Sequence, residues 1–269
     1  MRRPARARAR AARRVTRAAM GEVYRKERAT APPGFFAAEA DGLRWLAAAR
    51  AVPVPSVHEV TDSSIAIDFV PTGEPTRAAA ERFGHELAAL HRSGAERYGA
   101  PWAGYIGNAP MDNTPMDDAD APTWPAWFVE RRIQPYAREA MLSPDEQRAV
   151  DEVCDRIDEL AGPPEPVARL HGDLWSGNVL WGADGRVWLI DPAAHGGHRE
   201  SDLAMLALFG LPHLDVVLAA YDEAWPLADG WRARVPLHQL FPLLVHACLF
   251  GGHYAHQAAT AARAALRAA

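Results

Sequence analysis

The chain has 269 residues, 49% of them hydrophobic and 23% charged, with 29 Lys and Arg against 34 Asp and Glu and a formal net charge of −5. That length can hold one large core or two lobes, and the composition is ordinary for a soluble globular protein, which excludes a fibrous or wholly disordered chain. The most apolar stretch, residues 240–250, has about half the length a bilayer span needs and contains Pro242 and His246, while Cys154 and Cys248 show no metal or pairing spacing, so a reducing cytoplasm is the expected location.

The first nineteen residues are a different material. They carry eight arginines and no acid, which leaves 21 basic against 34 acidic residues over 20–269. Residues 1–19 read as a disordered extension, and because an acidic body repels phosphate no nucleic-acid partner is expected. The arm also lacks the apolar stretch of a secretion signal and the serines of a transit peptide. Glu22-Val23-Tyr24-Arg25-Lys26 then alternates as a short strand does. Lys26 is the only lysine in the chain. An Arg-rich sequence that uses Lys once has a use for a compact ammonium, which enters between phosphate oxygens where a planar guanidinium is too wide. Thirteen residues on, Glu39 lies in a run whose apolar positions 36, 40, 43 and 46 have helical spacing and leave it off the buried stripe. A strand Lys paired with a helix Glu positions nucleotide phosphates in kinases.

Residues 65–70 alternate again and stop at Pro71 and Gly73, which makes Asp68, Phe69 and Val70 a hinge whose backbone can hydrogen-bond adenine between two lobes. Phe83, Leu87 and Leu90 mark a helix closing near His91 and Gly94. Residues 99–125, rich in Pro, Gly, Asp and Asn, predict a long irregular loop. Ser143-Pro144-Asp145-Glu146 is a capping box with Pro at the first helical position, and Val150, Val153, Ile157 and Leu160 carry its stripe to Gly162. Another helix is expected over 201–210. The alanine-rich tail after Ala258 predicts a helix with no evident partner.

The chemistry concentrates in His171-Gly172-Asp173-Leu174-Trp175-Ser176-Gly177-Asn178 and in Asp191, thirteen positions after the Asn. The order His-x-Asp-x-x-x-x-Asn, then Asp, is that of kinases, where the first Asp orients the attacking hydroxyl and the other two groups ligate magnesium. Asn178-Val179-Leu180-Trp181 and Arg186-Val187-Trp188-Leu189-Ile190 flank the turn Gly182-Ala183-Asp184-Gly185, a hairpin composition. A hairpin returns the chain beside its start, so Asn178 and Asp191 emerge as neighbours able to share one hard cation. The plain alternative is that these are turn and cap residues only.

With Ile190-Asp191-Pro192-Ala193, Gly197-His198-Arg199-Glu200-Ser201-Asp202-Leu203-Ala204-Met205 and Leu208-Phe209-Gly210, this run resembles the fructosamine kinase (ketosamine 3-kinase) family, over about residues 21–256. The resemblance implies a two-lobed, protein-kinase-like α+β fold, with a small β-containing N-lobe over 20–71 and a larger, mainly helical C-lobe over 72–269. It implies ATP and Mg2+ as cofactors and phosphorylation of a sugar hydroxyl on a small-molecule or protein-bound ketosamine, with no membrane partner. Asp173 would be the catalytic group, Asn178 and Asp191 the metal ligands, and Lys26 and Glu39 the phosphate-side pair; His171 and Asp202 would support the loop. His198, Arg199 and Glu200 would face the acceptor or form an internal ion-pair network. His195 stands where many relatives have Tyr. Trp127 and Arg131 would stack on or bond the sugar, although such a Trp is more often core. Only Gly21 precedes Lys26 where the family has a glycine-bearing strand-turn-strand, so the Gly-rich loop is expected to be missing. The competing expectations are an aminoglycoside- or choline-type phosphotransferase, which needs an acidic acceptor pocket for a polyamine, and a non-catalytic relative that binds nucleotide or ligand without transfer.

Overall fold

The computed structural model describes residues 12–18, 21–115 and 123–268. Part of the Arg-rich arm belongs to the fold. Residues Ala12–Ala18 form strand β1, paired antiparallel with β2 (Gly21–Glu27) with Arg13 opposite Lys26 and Arg17 opposite Glu22. The expected disordered extension is therefore corrected for 12–18, while residues 1–11 lie outside the described residues. Without β1, the edge of β2 would present unpaired N–H and C=O groups; a short, Arg-rich strand with Val15 and Thr16 at its middle closes that edge and resists further pairing. The chain keeps a strand ahead of the lysine strand, with Gly21 the one glycine before Lys26.

The small-lobe sheet has the order β1-β2-β4-β3, with β3 at Val57–Thr61 and β4 at Ser64–Asp68. Helix α1 (Phe35–Ala48) lies on it, and Phe36, Ala40, Leu43, Ile65 and Ile67 make a small core between the two. That packing uses the 36-40-43 stripe of α1 and turns Glu39 toward β2, whose Lys26 pairs in register with Ile65.

The larger lobe runs through α2 (Arg77–Arg92), β5 (Gly104–Ile106), β6 (Ala109–Met111), α3 (Trp124–Phe128), a π-helical turn at Val129–Ile133, α4 (Gln134–Glu139), α5 (Pro144–Asp155) and α6 (Ile157–Leu160). It continues with β7 (Ala168–Leu170), β8 (Val179–Trp181), β9 (Val187–Leu189), β10 (His195–Gly197), α7 (Glu200–Phe209), α8 (Leu214–Ala224), α9 (Trp231–Phe250) and α10 (His253–Arg267). The capping box at Ser143 forms as read, but the helix it starts breaks at Arg156. The loop over 99–125 contains the β5–β6 hairpin, and residues 116–122 of it lie outside the described residues. The tail has a partner after all: α10 packs on α9 and α5 through Ala255, Ala258, Ala261, Ala262 and Ala265. Alanines look featureless in sequence, yet a stripe of them lets two helices approach closely and bury backbone as well as methyls. No helix among the described residues is long and apolar enough to cross a membrane.

Two cores divide the larger lobe. One joins α2, α7 and α8 with the β8–β9 hairpin through Phe83, Leu87, Leu174, Leu189, Leu203 and Tyr221; the other joins α3 to α5 with α9 and α10 through Trp127, Ile133, Val150 and Leu244. The turn of the β8–β9 hairpin clips to the lobe junction, where Gly73 donates to the Trp181 carbonyl at 2.7 Å and Ala183 to that of Pro71 at 2.8 Å.

Candidate active site

Residues 171–178 leave β7 between the two cores. Gly172 takes φ +80°, and a side chain there would run into the carbonyl oxygen of Ala193, so the close pass of the loop beside the segment after Asp191 requires glycine. Asp202, fully buried in the first turn of α7, holds the loop from behind: its carboxylate accepts from the backbone N–H of His171 at 2.7 Å and of Gly172 at 2.9 Å. His91 adds a third contact to Asp202 at 3.2 Å and is itself bonded to the Tyr221 hydroxyl at 2.8 Å. His171 Nε2 reaches the Ile190 carbonyl at 2.9 Å, tying the loop to the exit of β9.

The hairpin pairs Val179 with Leu189 and Trp181 with Val187, and Ile190 donates to the Asn178 carbonyl at 3.1 Å. Asn178 and Asp191 come out side by side. Three acceptors surround the Asn178 amide nitrogen: the Asp173 carbonyl at 2.8 Å, the Asp173 carboxylate at 3.1 Å and the Asp191 carbonyl at 3.4 Å. The assignment of its Oδ1 to the other side follows from that crowd of acceptors. Asp191 has φ +54°, a left-handed conformation that costs a non-glycine residue about 1 kcal/mol and turns its carboxylate toward the small lobe. There Lys26 ion-pairs with Asp191 and, at 2.5 Å, with Glu39. Burial pulls the Lys26 pKa down, but the two carboxylates outweigh it and hold the ammonium charged above its ordinary value.

Asp173 sits half-buried beside this group. Burial pushes its carboxyl up to about 7, helped by the charges of Asp191 and Asp202 and opposed by the Asn178 amide. Lys26, Glu39, Asp173, Asn178 and Asp191 all line one cavity of about 480 Å³. The remaining wall was not read from the sequence: Arg28, Trp102, Tyr105, Asn108, Asn113, Trp175 and Phe250 line it as well. Arg28 lies two residues beyond Lys26, just past the end of β2, and that period-2 step on the strand's exit was the available signal. Its guanidinium donates to Asn108 at 2.7 Å, and Tyr105 donates to the Pro33 carbonyl at 2.9 Å, so the β5–β6 hairpin joins the two lobes across the cavity.

The structure does not bring the proposed acceptor residues to this cavity. Trp127 is 1% exposed, beneath the buried Arg132 guanidinium 4.3 Å from its ring, and Arg131 pairs with Asp112 at 3.1 Å and Glu130 at 3.2 Å. The π-helical turn puts Arg132 inside, where it donates to the Asp112 carbonyl and to Asn113 Oδ1, so this segment shapes the cavity wall without facing the cavity. His195 is buried, bonded to the Ala193 carbonyl at 2.8 Å, and pushed down to about 3 by burial and the nearby Arg132 charge. Arg199 grips Glu165, and Glu200 receives two bonds from Arg234 at 2.6 and 3.0 Å. His198 packs against Trp124 and His238. These residues form the internal network. At the hinge, the Asp68 carboxylate accepts from Ser56 and contacts His58, the Asp68 N–H donates to Ser56, and the Phe69 N–H donates to the Glu22 carbonyl, so the adenine contacts expected of those two amides are already taken by the protein. Val70 is buried at the lobe junction.

A β-sheet lobe with a Lys–Glu pair, facing a helical lobe whose loop Asp, Asn and hairpin Asp converge, defines the protein-kinase-like phosphotransferase class. The choline kinase of Streptococcus pneumoniae shares the fold, with a TM-score of 0.64 at 15% identity over 95% of this chain and 89% of that one. Within that class, the fructosamine kinase family model matches residues 9–268. The chain belongs to the fructosamine kinase family. Its relatives include the probable ketoamine kinase of Thermus thermophilus, 34% identical over 224 residues covering 83% of this chain and 79% of the relative. It is also similar to the Thermobifida fusca protein whose crystal structure carries the name "putative fructosamine-3-kinase", with 52% identity and a TM-score of 0.88 over 96% of this chain and 94% of that one.

Proposed function

We propose that the protein is an ATP-dependent ketosamine kinase, transferring the γ-phosphoryl group to a sugar hydroxyl of a glycated amine in the service of deglycation. The observation that carries this is the convergence on one cavity wall of Asp173, Asn178, Asp191, Lys26 and Glu39, together with membership of the family. Asp173, with its pKa near neutrality, orients the acceptor hydroxyl and takes its proton. Lys26, fixed between Glu39 and Asp191, meets the phosphate oxygens. The donor set of Asn178 Oδ1 and the Asp191 carboxylate is hard and oxygen-only, which fits Mg2+ held jointly with phosphates; bound there, the cation would neutralise charge developing on the transferred group. The adenine edge would meet the 68–70 hinge through groups other than the amides of Asp68 and Phe69, which are engaged. The work of these residues is positioning and charge stabilisation. Cys154 and Cys248 are free thiols, consistent with a cytoplasmic enzyme.

The cavity wall argues against a polyamine acceptor. Among the described residues its only acids are Glu39, Asp173 and Asp191, all committed to the constellation, and Arg28 adds positive charge. Among the described wall residues a polycation would find no spare carboxylate. An ATP-consumption screen over fructosamines, ribulosamines, free sugars and aminoglycosides tests the reading: turnover is expected on the glycated amines alone. Nucleotide binding without turnover on any of them would make the protein a non-catalytic relative.

A further inference from the structure

Four large hydrophobic side chains stand out as exposed among the described residues: Met141, Trp175, Phe209 and Phe250. Three of them share one patch. Trp175 meets Phe209 edge-on at 5.9 Å, Phe209 lies 5.2 Å from the His246 ring, and His246 lies 5.3 Å from Phe250 and 5.0 Å from Tyr254. Three separate segments build this ledge: the catalytic loop, the end of α7 and the α9–α10 corner. Exposed aromatics gathered from distant parts of a chain mark a binding surface more often than chance, because each leaves apolar area in water that a ligand could cover. His246 at the centre bonds the Pro242 carbonyl at 2.6 Å, and its burial favours the neutral ring, so the ledge carries no fixed charge of its own.

The ledge is continuous with the active-site cavity, since Trp175 and Phe250 belong to both. Trp175 follows Asp173 by two residues. An acceptor whose hydroxyl meets Asp173 must therefore lead its remaining bulk out past Trp175 and over the aromatic surface. In a ketosamine the amine nitrogen is three bonds from the 3-carbon, so the substituent on that nitrogen is the part that reaches the mouth.

We propose that the Trp175–Phe209–His246–Phe250–Tyr254 ledge is a subsite for the substituent on the amine nitrogen of the acceptor, and that it selects ketosamines bearing an apolar or aromatic amine over those bearing a small or acidic one. This rests on the ketosamine kinase reading. The test is a kinetic series on the full chain with fructose-derived ketosamines of ethylamine, n-hexylamine, benzylamine and β-alanine. The benzylamine derivative is expected to exceed the ethylamine one at least tenfold in kcat/KM, chiefly through KM, a ratio in the range that one apolar contact supplies. Phe209→Ser and Phe250→Ser each reduce that ratio at least threefold, and Phe250→Trp, which keeps the ring surface, retains it; melting curves confirm folding of each. A flat series in the wild type, or a ratio that survives both serine variants, overturns the proposal. A flat series accompanied by self-association that the serine variants abolish also overturns it, and assigns the ledge to a second copy of the chain. Turnover on no ketosamine at all overturns the parent reading and the ledge with it, whereas turnover without amine preference overturns the ledge alone.

Discussion

Residues 171–178 and residues 195–200 look alike in sequence: two short polar runs of one lobe, each with His, Gly and an acid. They differ in what the rest of the chain supplies to them. Arg199 and Glu200 are met by Glu165 and Arg234, each through a bidentate pair of bonds, and His198 is covered by Trp124 and His238. Asp173 is offered one side-chain amide, open space on the cavity side and two neighbouring carboxylates. A buried charge with a full set of partners organises structure, while a perturbed acid facing a cavity is available for chemistry. The comparison teaches that residue type selects candidates and distant partners assign the role.

The contrast is sharpest at Asp173. Asp173→Ala is expected to lower kcat by roughly 10³–10⁴, at the upper end of what a general base contributes, with nucleotide affinity changed less than threefold by titration of a fluorescent ATP analogue. Retained turnover would remove the distinction between the two runs at its root. Glu200→Ala should do the reverse. It leaves Arg234 buried without its carboxylate, which costs roughly 3–5 kcal/mol, read as a lower urea midpoint, while kcat of the folded fraction stays within tenfold. A Glu200→Ala enzyme of normal stability and no activity would break the comparison from the other side.

Lys26→Arg is the next largest. The ammonium sits in a slot between Glu39 and Asp191, and a guanidinium needs more width and a planar approach. A loss of about 10–100-fold in kcat/KM for ATP is expected from steady-state kinetics, with folding retained. An unaffected enzyme would show that charge alone is required at this position.

What was legible in the sequence was local. Glu39 could be placed because the helical period of 36, 40 and 43 left it off the core face, and Asn178 and Asp191 could be brought together because a four-residue turn joins their strands. What was not legible depended on distance. Nothing near Arg199 announces Glu165, 34 residues earlier, or Trp225 under its guanidinium. The burial of Trp127 was decided by a π-helical turn that swings Arg132 over it, and no period separates that turn from an ordinary helix. Strand β1 reads as a charge run because the open edge of β2, not its own composition, makes it a strand. Trp175 stands inside the motif that was read for its Asp and Asn, yet only its 39% exposure and its edge contact with Phe209 show it as part of a surface.

The smallest expected effect concerns stability. The Asp173 carboxyl titrates near 7 in the folded chain against an ordinary 3.8, so the native state holds this proton more tightly than the unfolded state does. By linkage, native stability then falls as pH rises from about 4 to about 7, and the full cost is present above 7. Asp173→Asn removes the ionisation and keeps the shape. The variant should be more stable than the wild type at pH 8 by on the order of 1–2 kcal/mol, discounted because the group is only half-buried, and the gain should vanish near pH 4; calorimetric melting at the two pH values reads both. Over the same window wild-type kcat/KM should climb and level off as Asp173 becomes a carboxylate able to accept the proton. The Glu200 run carries the opposite sign: Arg234 and His238 hold its carboxyl down to about 2 against burial, so ionisation there stabilises the fold at every pH above the ordinary carboxylate range. If Asp173→Asn were instead less stable than the wild type at pH 8, the Asp173 carboxylate would be a satisfied structural charge like Glu200, and the two runs would have the same job.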